Sequence, residues 1–154
     1  MRDKDLNVLW DHFLSEWPTE RVRSMSLEEY TNLNRSDAFV YWIERTTEEL
    51  GSIRGGSAFK WGIYQRKPDS DKPGAPGTAS DETYSWYKRY GNTAEEAFRT
   101  IRERLVEIIE AIQQGDLERV DGTEVCWPMV KWKVAFLYQD RQSPHILPVF
   151  RDDK

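Results

Sequence analysis

His12, His145 and the lone Cys126 are the side chains best suited to nucleophilic or metal chemistry in this chain. His12 sits beside Phe13 on what reads as a helix face, and His145 follows Pro144 in a turn, so their spacing gives them no reason to meet. One Cys and two His cannot furnish a usual structural zinc site, and there is no H-E-x-x-H. No local signature supports a Cys126–His nucleophile, and Cys126, between Val125 and Trp127, reads as a small buried residue. The carboxylate pairs Glu28-Glu29, Glu48-Glu49 and Glu95-Glu96 fall in helical patterns where a cap or solvent explains them. There is no phosphate-binding loop of the Walker type and no G-x-G-x-x-G. The chain is therefore expected to recognise a ligand rather than transform one, with no cofactor and no metal ion.

What remains is the chemistry of binding. Gly55, Gly56 and Ser57 precede an alternating apolar stretch, and adjacent glycines let the backbone turn tightly and present N–H groups to an anion. A plain helix-to-strand turn is the other reading of that dipeptide. Basic and aromatic residues interleave around it, in Lys60-Trp61, Tyr64-Gln65-Arg66, Trp86-Tyr87-Lys88-Arg89 and Lys131-Trp132-Lys133. Rings beside cations are what stacking on bases while holding phosphates requires. Arg54, Lys60, Arg66, Lys88 and Arg89 are the candidate phosphate contacts, and Tyr41, Trp42, Tyr64, Trp86 and Tyr87 the candidate stacking rings. Phe59, Trp61 and Ile63 are expected to face inward, with Lys60 and Tyr64 facing out. A Tyr- and Trp-rich surface suits a protein interface equally well, so a partner-binding or sensor domain is the alternative.

The elements that must position these residues follow from periodicity. Leu6, Leu9, Trp10, Phe13, Leu14 and Trp17 keep helical spacing up to Pro18, and Ser26 with Glu29 predicts a capping box. Ser36 or Asp37 can cap a third helix that buries Phe39, Trp42, Ile43, Thr46 and Leu50 and stops at Gly51. The period then shortens to two, predicting strands over 59–64 and 84–89 joined by a mobile Pro/Gly-rich loop at 68–80. Thr93 and Glu96 cap the strongest helix, residues 93–114, with Ala97, Phe98, Ile101, Leu105, Ile108, Ile109 and Ile112 as its buried stripe. Alternation predicts a third strand at 131–138 and a short fourth at 146–150. The expected fold is α+β: an N-terminal helical segment, then a small, mainly antiparallel sheet packed against a long amphipathic helix.

Residues 1–154 read as one domain, since 154 residues suffice for a core and no second composition regime occurs. The net charge is −5, but residues 54–90 hold seven basic and four acidic side chains, leaving −8 elsewhere. A mildly basic middle in an acidic body could steer an anion to one face. The charged N-terminus lacks a signal-peptide pattern and no apolar run nears the roughly 20 residues a membrane span needs, so the cytoplasm is expected.

Five stretches, in order, carry a family likeness: LEEYTNL (27–33), FVYWIE (39–44), LGSIRGGSAFKWGIY (50–64), WYKRYG (86–91) and KWKVAFLY (131–138). Together they resemble the N-terminal region of bacterial AAA+ proteins related to McrB, the GTP-hydrolysing subunit of modification-dependent restriction systems. The resemblance implies a specificity module that docks on DNA, often DNA with a modified base, and the candidate rings would then stack on an exposed or flipped base. It also implies a C-terminal AAA+ motor in the full-length protein and an McrC-like nuclease partner. No Walker motif occurs, so NTPase activity is not carried over. The likeness supplies no ligand residues, and the candidates above rest on residue chemistry alone.

Overall fold

Helical spacing at the N-terminus is realised as α1 (Asp3–Glu16), which buries Phe13 and half-buries Leu6, Leu9, Trp10 and Leu14. The computed structural model of the chain describes residues 3–67 and 76–147. After Pro18 comes α2 (Thr19–Ser24), and the predicted capping box opens α3 (Leu27–Tyr30). There the Glu29 N–H donates to Ser26 Oγ at 3.1 Å and the Ser26 N–H donates to Glu29 Oε1 at 3.0 Å. Ser26→Ala is expected to cost about 1 kcal/mol of stability, read as a lower urea midpoint at an unchanged slope.

The next helix starts on Ala38, because Asp37 is engaged by Arg35 at 2.9 Å instead of capping. It runs as α4 (Phe39–Tyr41) and widens into a π-helical turn, Trp42–Thr46. That extra residue in the turn buries Thr47 rather than the expected Thr46, and Thr47 Oγ1 lies 2.7 Å from the Trp42 carbonyl and 3.0 Å from that of Ile43. A 3-10 turn, Glu48–Leu50, then ends at Gly51.

The first strand begins later than expected. Residues 58–61 form a 3-10 turn with Ser57 Oγ accepting the Phe59 N–H, and Gly62, at φ +83°, redirects the chain. A Cβ at Gly62 would lie 2.7 Å from Ile101 Cδ1, so this close approach of strand entry and long helix requires glycine. β1 (Ile63–Gln65), β2 (Thr78–Ser80) and β3 (Tyr84–Tyr87) form an antiparallel sheet in the order β1-β3-β2. Thus 78–80, expected in a mobile loop, are paired with β3, while 68–75 lie outside the described residues. Ile63 pairs with Trp86 and Tyr64 with Ser85, so Ile63 and Trp86 face the core, while Tyr64, Ser85 and Tyr87 share the opposite face, on which Ser85 is buried and the two tyrosines half-buried. β3 stops at Tyr87, where a 3-10 turn, Lys88–Tyr90, replaces the predicted last two strand residues.

The long helix is α5 (Ala94–Gln113), and every residue of its predicted stripe is buried. It packs against the sheet, α2, α6 (Leu117–Gly122) and α7 (Pro128–Tyr138). The last of these overturns the predicted strand at 131–138. Pro128 opens a helix whose residues 130, 131 and 133–138 are all buried, so it is enclosed on nearly every side and shows no polar stripe. Of the predicted fourth strand, 146 and 147 have no strand structure and 148–150 lie outside the described residues. Among the described residues, no helix is long and apolar enough to cross a membrane.

Candidate functional site

The outer face of the sheet and the start of α7 bring four half-buried rings together. Phe59 contacts Tyr64 edge-to-face at 5.0 Å between centroids and Tyr87 at 5.1 Å. Trp127 donates its indole N–H to Tyr87 Oη at 3.0 Å. Its own backbone N–H is held by the Lys60 carbonyl at 2.9 Å, which fixes the start of α7 against the 3-10 turn. The Gly55–Gly56–Ser57 turn abuts the same tryptophan: a Cβ on Gly56, at φ +76°, would stand 3.3 Å from the Trp127 ring. Arg89 lies over Tyr87 at 4.2 Å and over Tyr90 at 4.9 Å, and Lys88 is exposed beside it in sequence. Of the expected site residues, Gly56, Tyr64, Tyr87 and Arg89 therefore converge.

Others do not. Trp86 is only 4 % exposed and donates its indole N–H to the Gly91 carbonyl at 3.0 Å, and Trp42 is buried against His12 and Phe13. Both are core, because strand register and the π turn aim them inward. Tyr41 is exposed on α4, and no described ring contact joins it to the cluster. Lys60 is the main correction. Expected outside, it is 2 % exposed; its ammonium pairs with Glu44 and donates to the Ile53 and Gly55 carbonyls, each at 2.8 Å. Phe59, expected inward, is half-exposed instead, because the 3-10 turn breaks the alternation that placed it. Arg54 is exposed and pairs with Glu48 at 3.4 Å, and Arg66 donates to the Asp81 carbonyl at 2.6 Å.

Beneath the rings lies a polar hub. Tyr90 donates to Glu124 Oε2 at 2.5 Å and accepts the Cys126 N–H at 3.0 Å, while Arg89 and Arg104 both reach Glu124. Burial pushes the Tyr90 hydroxyl up, and hydrogen bonding to Glu124 adds to that, so Tyr90 is protonated and holds the turn before α7. Cys126 sits at φ +59°, a conformation costly for a residue with a Cβ, which these bonds sustain. Burial also pushes its thiol up to about 12, so it is no ready nucleophile. A cavity of about 270 Å³ opens here, with Arg89, Glu124, Cys126, Trp127 and Lys131 in its walls. Sequence reasoning missed Trp127 and Glu124; Pro128, a frequent first residue of a helix, was the available signal that Trp127 stands at a helix start.

No protein family, curated protein or solved structure matches the chain.

Proposed function

We propose that the chain is a DNA-recognition module of a McrB-like restriction or phage-defence system, acting in the cytoplasm beside an AAA+ motor and an McrC-like nuclease. The observation that carries this reading is the surface assembly of Phe59, Tyr64, Tyr87 and Trp127 next to Arg89 and Lys88. Rings with accessible faces stack on bases, and the neighbouring cations meet the backbone. The module itself performs no catalysis in this reading. Tyr64→Ala is expected to weaken DNA binding by about 1–3 kcal/mol per stacked base while leaving the circular dichroism spectrum unchanged. The experiment is a binding titration against duplexes and strands carrying unmodified, methylated, hydroxymethylated or glucosylated cytosine, or modified adenine. If folded Tyr64→Ala, Lys88→Ala and Arg89→Ala chains all bind DNA as the parent does, the reading is wrong.

A second reading, docking of a partner protein, is favoured by a different feature. An apolar cleft of about 480 Å³ lies at the other end of α7, walled by Leu6, Trp10, Leu50, Phe136, Ile146 and Leu147. Binding there would be insensitive to salt, whereas DNA binding weakens as salt rises.

A further inference from the structure

We infer that the cleft between α1 and the end of α7 seats a segment of a partner protein in which large apolar side chains are followed by a lysine or arginine. This rests on the partner-docking reading and is independent of the DNA-recognition one. The cleft walls are held from inside the fold. Gln139, only 5 % exposed, donates to the Ile146 carbonyl at 3.1 Å and accepts the His145 and Ile146 N–H groups at 2.9 and 3.0 Å. The Trp10 indole N–H is engaged by the Leu137 carbonyl at 2.7 Å, and its ring stacks on Phe136 at 4.7 Å. Both aromatic walls are thereby fixed, and the indole keeps no donor for an occupant. At about 480 Å³ the space matches cavities that enclose apolar organic groups.

The charge of the occupant follows from the lining. Glu49 and Arg141 are the charged side chains in the cleft walls. Arg141 meets Asp11 at 2.6 Å and lies 4.9 Å from the Trp10 ring centroid, so a carboxylate already balances it. The Glu49 side chain is exposed and has no ion pair or hydrogen bond among the described residues. Glu49, Asp11 and Arg141 together leave one negative charge at the rim, which favours a cation there. Leu147, 78 % exposed, carries the apolar wall beyond the cavity. A small molecule enclosed in the cleft would leave that leucine wet, whereas a chain segment running out over the rim covers it. An exposed ion pair adds little free energy. Apolar contact therefore supplies the affinity and Glu49 the preference, and binding stays nearly insensitive to salt.

The test uses the whole 154-residue chain and the tripeptide probe N-acetyl-Phe-Leu-Lys amide, with its Gln and Glu counterparts and phenylbutylamine as a small-molecule arm. Binding is read from the Trp10 indole N–H resonance, identified by its loss in Trp10→Phe. The Lys probe is expected to bind about threefold tighter than the Gln probe, the size of one exposed ion pair, and the Glu probe to bind weakest. Glu49→Gln is expected to level the Lys and Gln probes. Leu147→Ala, at an exposed position, is expected to weaken all the peptides at least about threefold. Equal binding of the peptides, or a Lys preference that survives Glu49→Gln, overturns the cation and leaves the partner-docking reading standing. Phenylbutylamine that binds as tightly as the Lys probe, or Leu147→Ala without effect, overturns the chain segment. Dimerisation of the chain that moves the same resonance assigns the cleft to a second copy. A chain ending at Leu147 that binds the Lys probe at least about tenfold tighter assigns it to residues 148–154 of the chain itself. Either result overturns the partner. If no probe moves the Trp10 resonance, the partner-docking reading fails as well.

Discussion

Replacing Lys60 by alanine is expected to lower the unfolding free energy by about 3–5 kcal/mol, the cost of breaking an ion pair inside a protein. Its ammonium serves the Glu44 carboxylate, whose other cationic neighbour is the exposed Arg45 at 3.9 Å, and the carbonyls of Ile53 and Gly55. The loss comes from what remains behind: a carboxylate only 20 % exposed and two carbonyls deprived of their donor. Lys60→Met keeps most of the packing yet strands the same groups, so it is expected to cost nearly as much. Adding Glu44→Gln to Lys60→Met removes the orphaned charge and is expected to restore part of the loss. Urea denaturation of the two single variants and the double variant reads this coupling directly. A Lys60→Ala chain that loses less than about 1 kcal/mol would show that the ammonium is not confined as described.

Lys133 carries the second large effect, through pH. It is fully buried on α7, and its ammonium donates to the Thr47 carbonyl at 3.0 Å and to the Gly51 carbonyl. The charges facing it come from the turns packed on α7: Glu48, already paired with Arg54, and Glu44, already paired with Lys60. Desolvation outweighs their attraction and draws the Lys133 ammonium from 10.5 down to about 7. Between those values the unfolded chain holds a proton that the folded chain has released, so stability rises with pH across the window. Below about pH 7 the lysine is charged in both states and its burial penalty is fully present. The interval corresponds to on the order of 5 kcal/mol at most. Lys133→Met abolishes this contribution, so the stability difference between parent and variant is expected to shift in favour of the parent from pH 7 to pH 10. A difference that stays constant over that range would place the Lys133 ammonium near its ordinary value.

These lysines also show why some of the architecture was legible in residue order and some was not. The stripe of α5 could be read because its polar residues do face water, so period and burial agree. In α7, Lys131 and Lys133 alternate with Trp132, Val134 and Phe136, which imitates a half-exposed strand. Yet both lysines are inside, where the Lys131 ammonium meets the Asp121 and Thr123 carbonyls at 3.0 and 3.3 Å. Hydropathy assigns lysine to solvent, and carbonyls converging from distant loops are invisible to a local pattern. The same assumption misplaced Lys60. Tyr64 and Tyr87 were legible because strand alternation in β1 and β3 holds, whereas Trp86 and Trp42 were aromatic candidates whose direction depended on register and on a π turn. Trp127 entered the site through a helix start that a strand assignment had hidden.

The Lys133 bonds join residues 86 and 82 positions apart in sequence, and the Trp127–Lys60 bond and the Tyr90 grip on Cys126 also connect α7 to earlier segments. Contacts of such sequence separation form only after the entropy of closing a long loop has been overcome. Lys60 can hold Ile53 and Gly55 from within the earlier segment, but the Thr47 and Gly51 carbonyls and the Trp127 side of the ring cluster wait for α7. A ribosome-bound chain can form α1, the Ser26 cap and the β2–β3 hairpin while α7 is still in the exit tunnel. The cluster of Phe59, Tyr64, Tyr87 and Trp127 is completed only as residues 127–133 emerge and dock, because Trp127 is the last of its rings to be made.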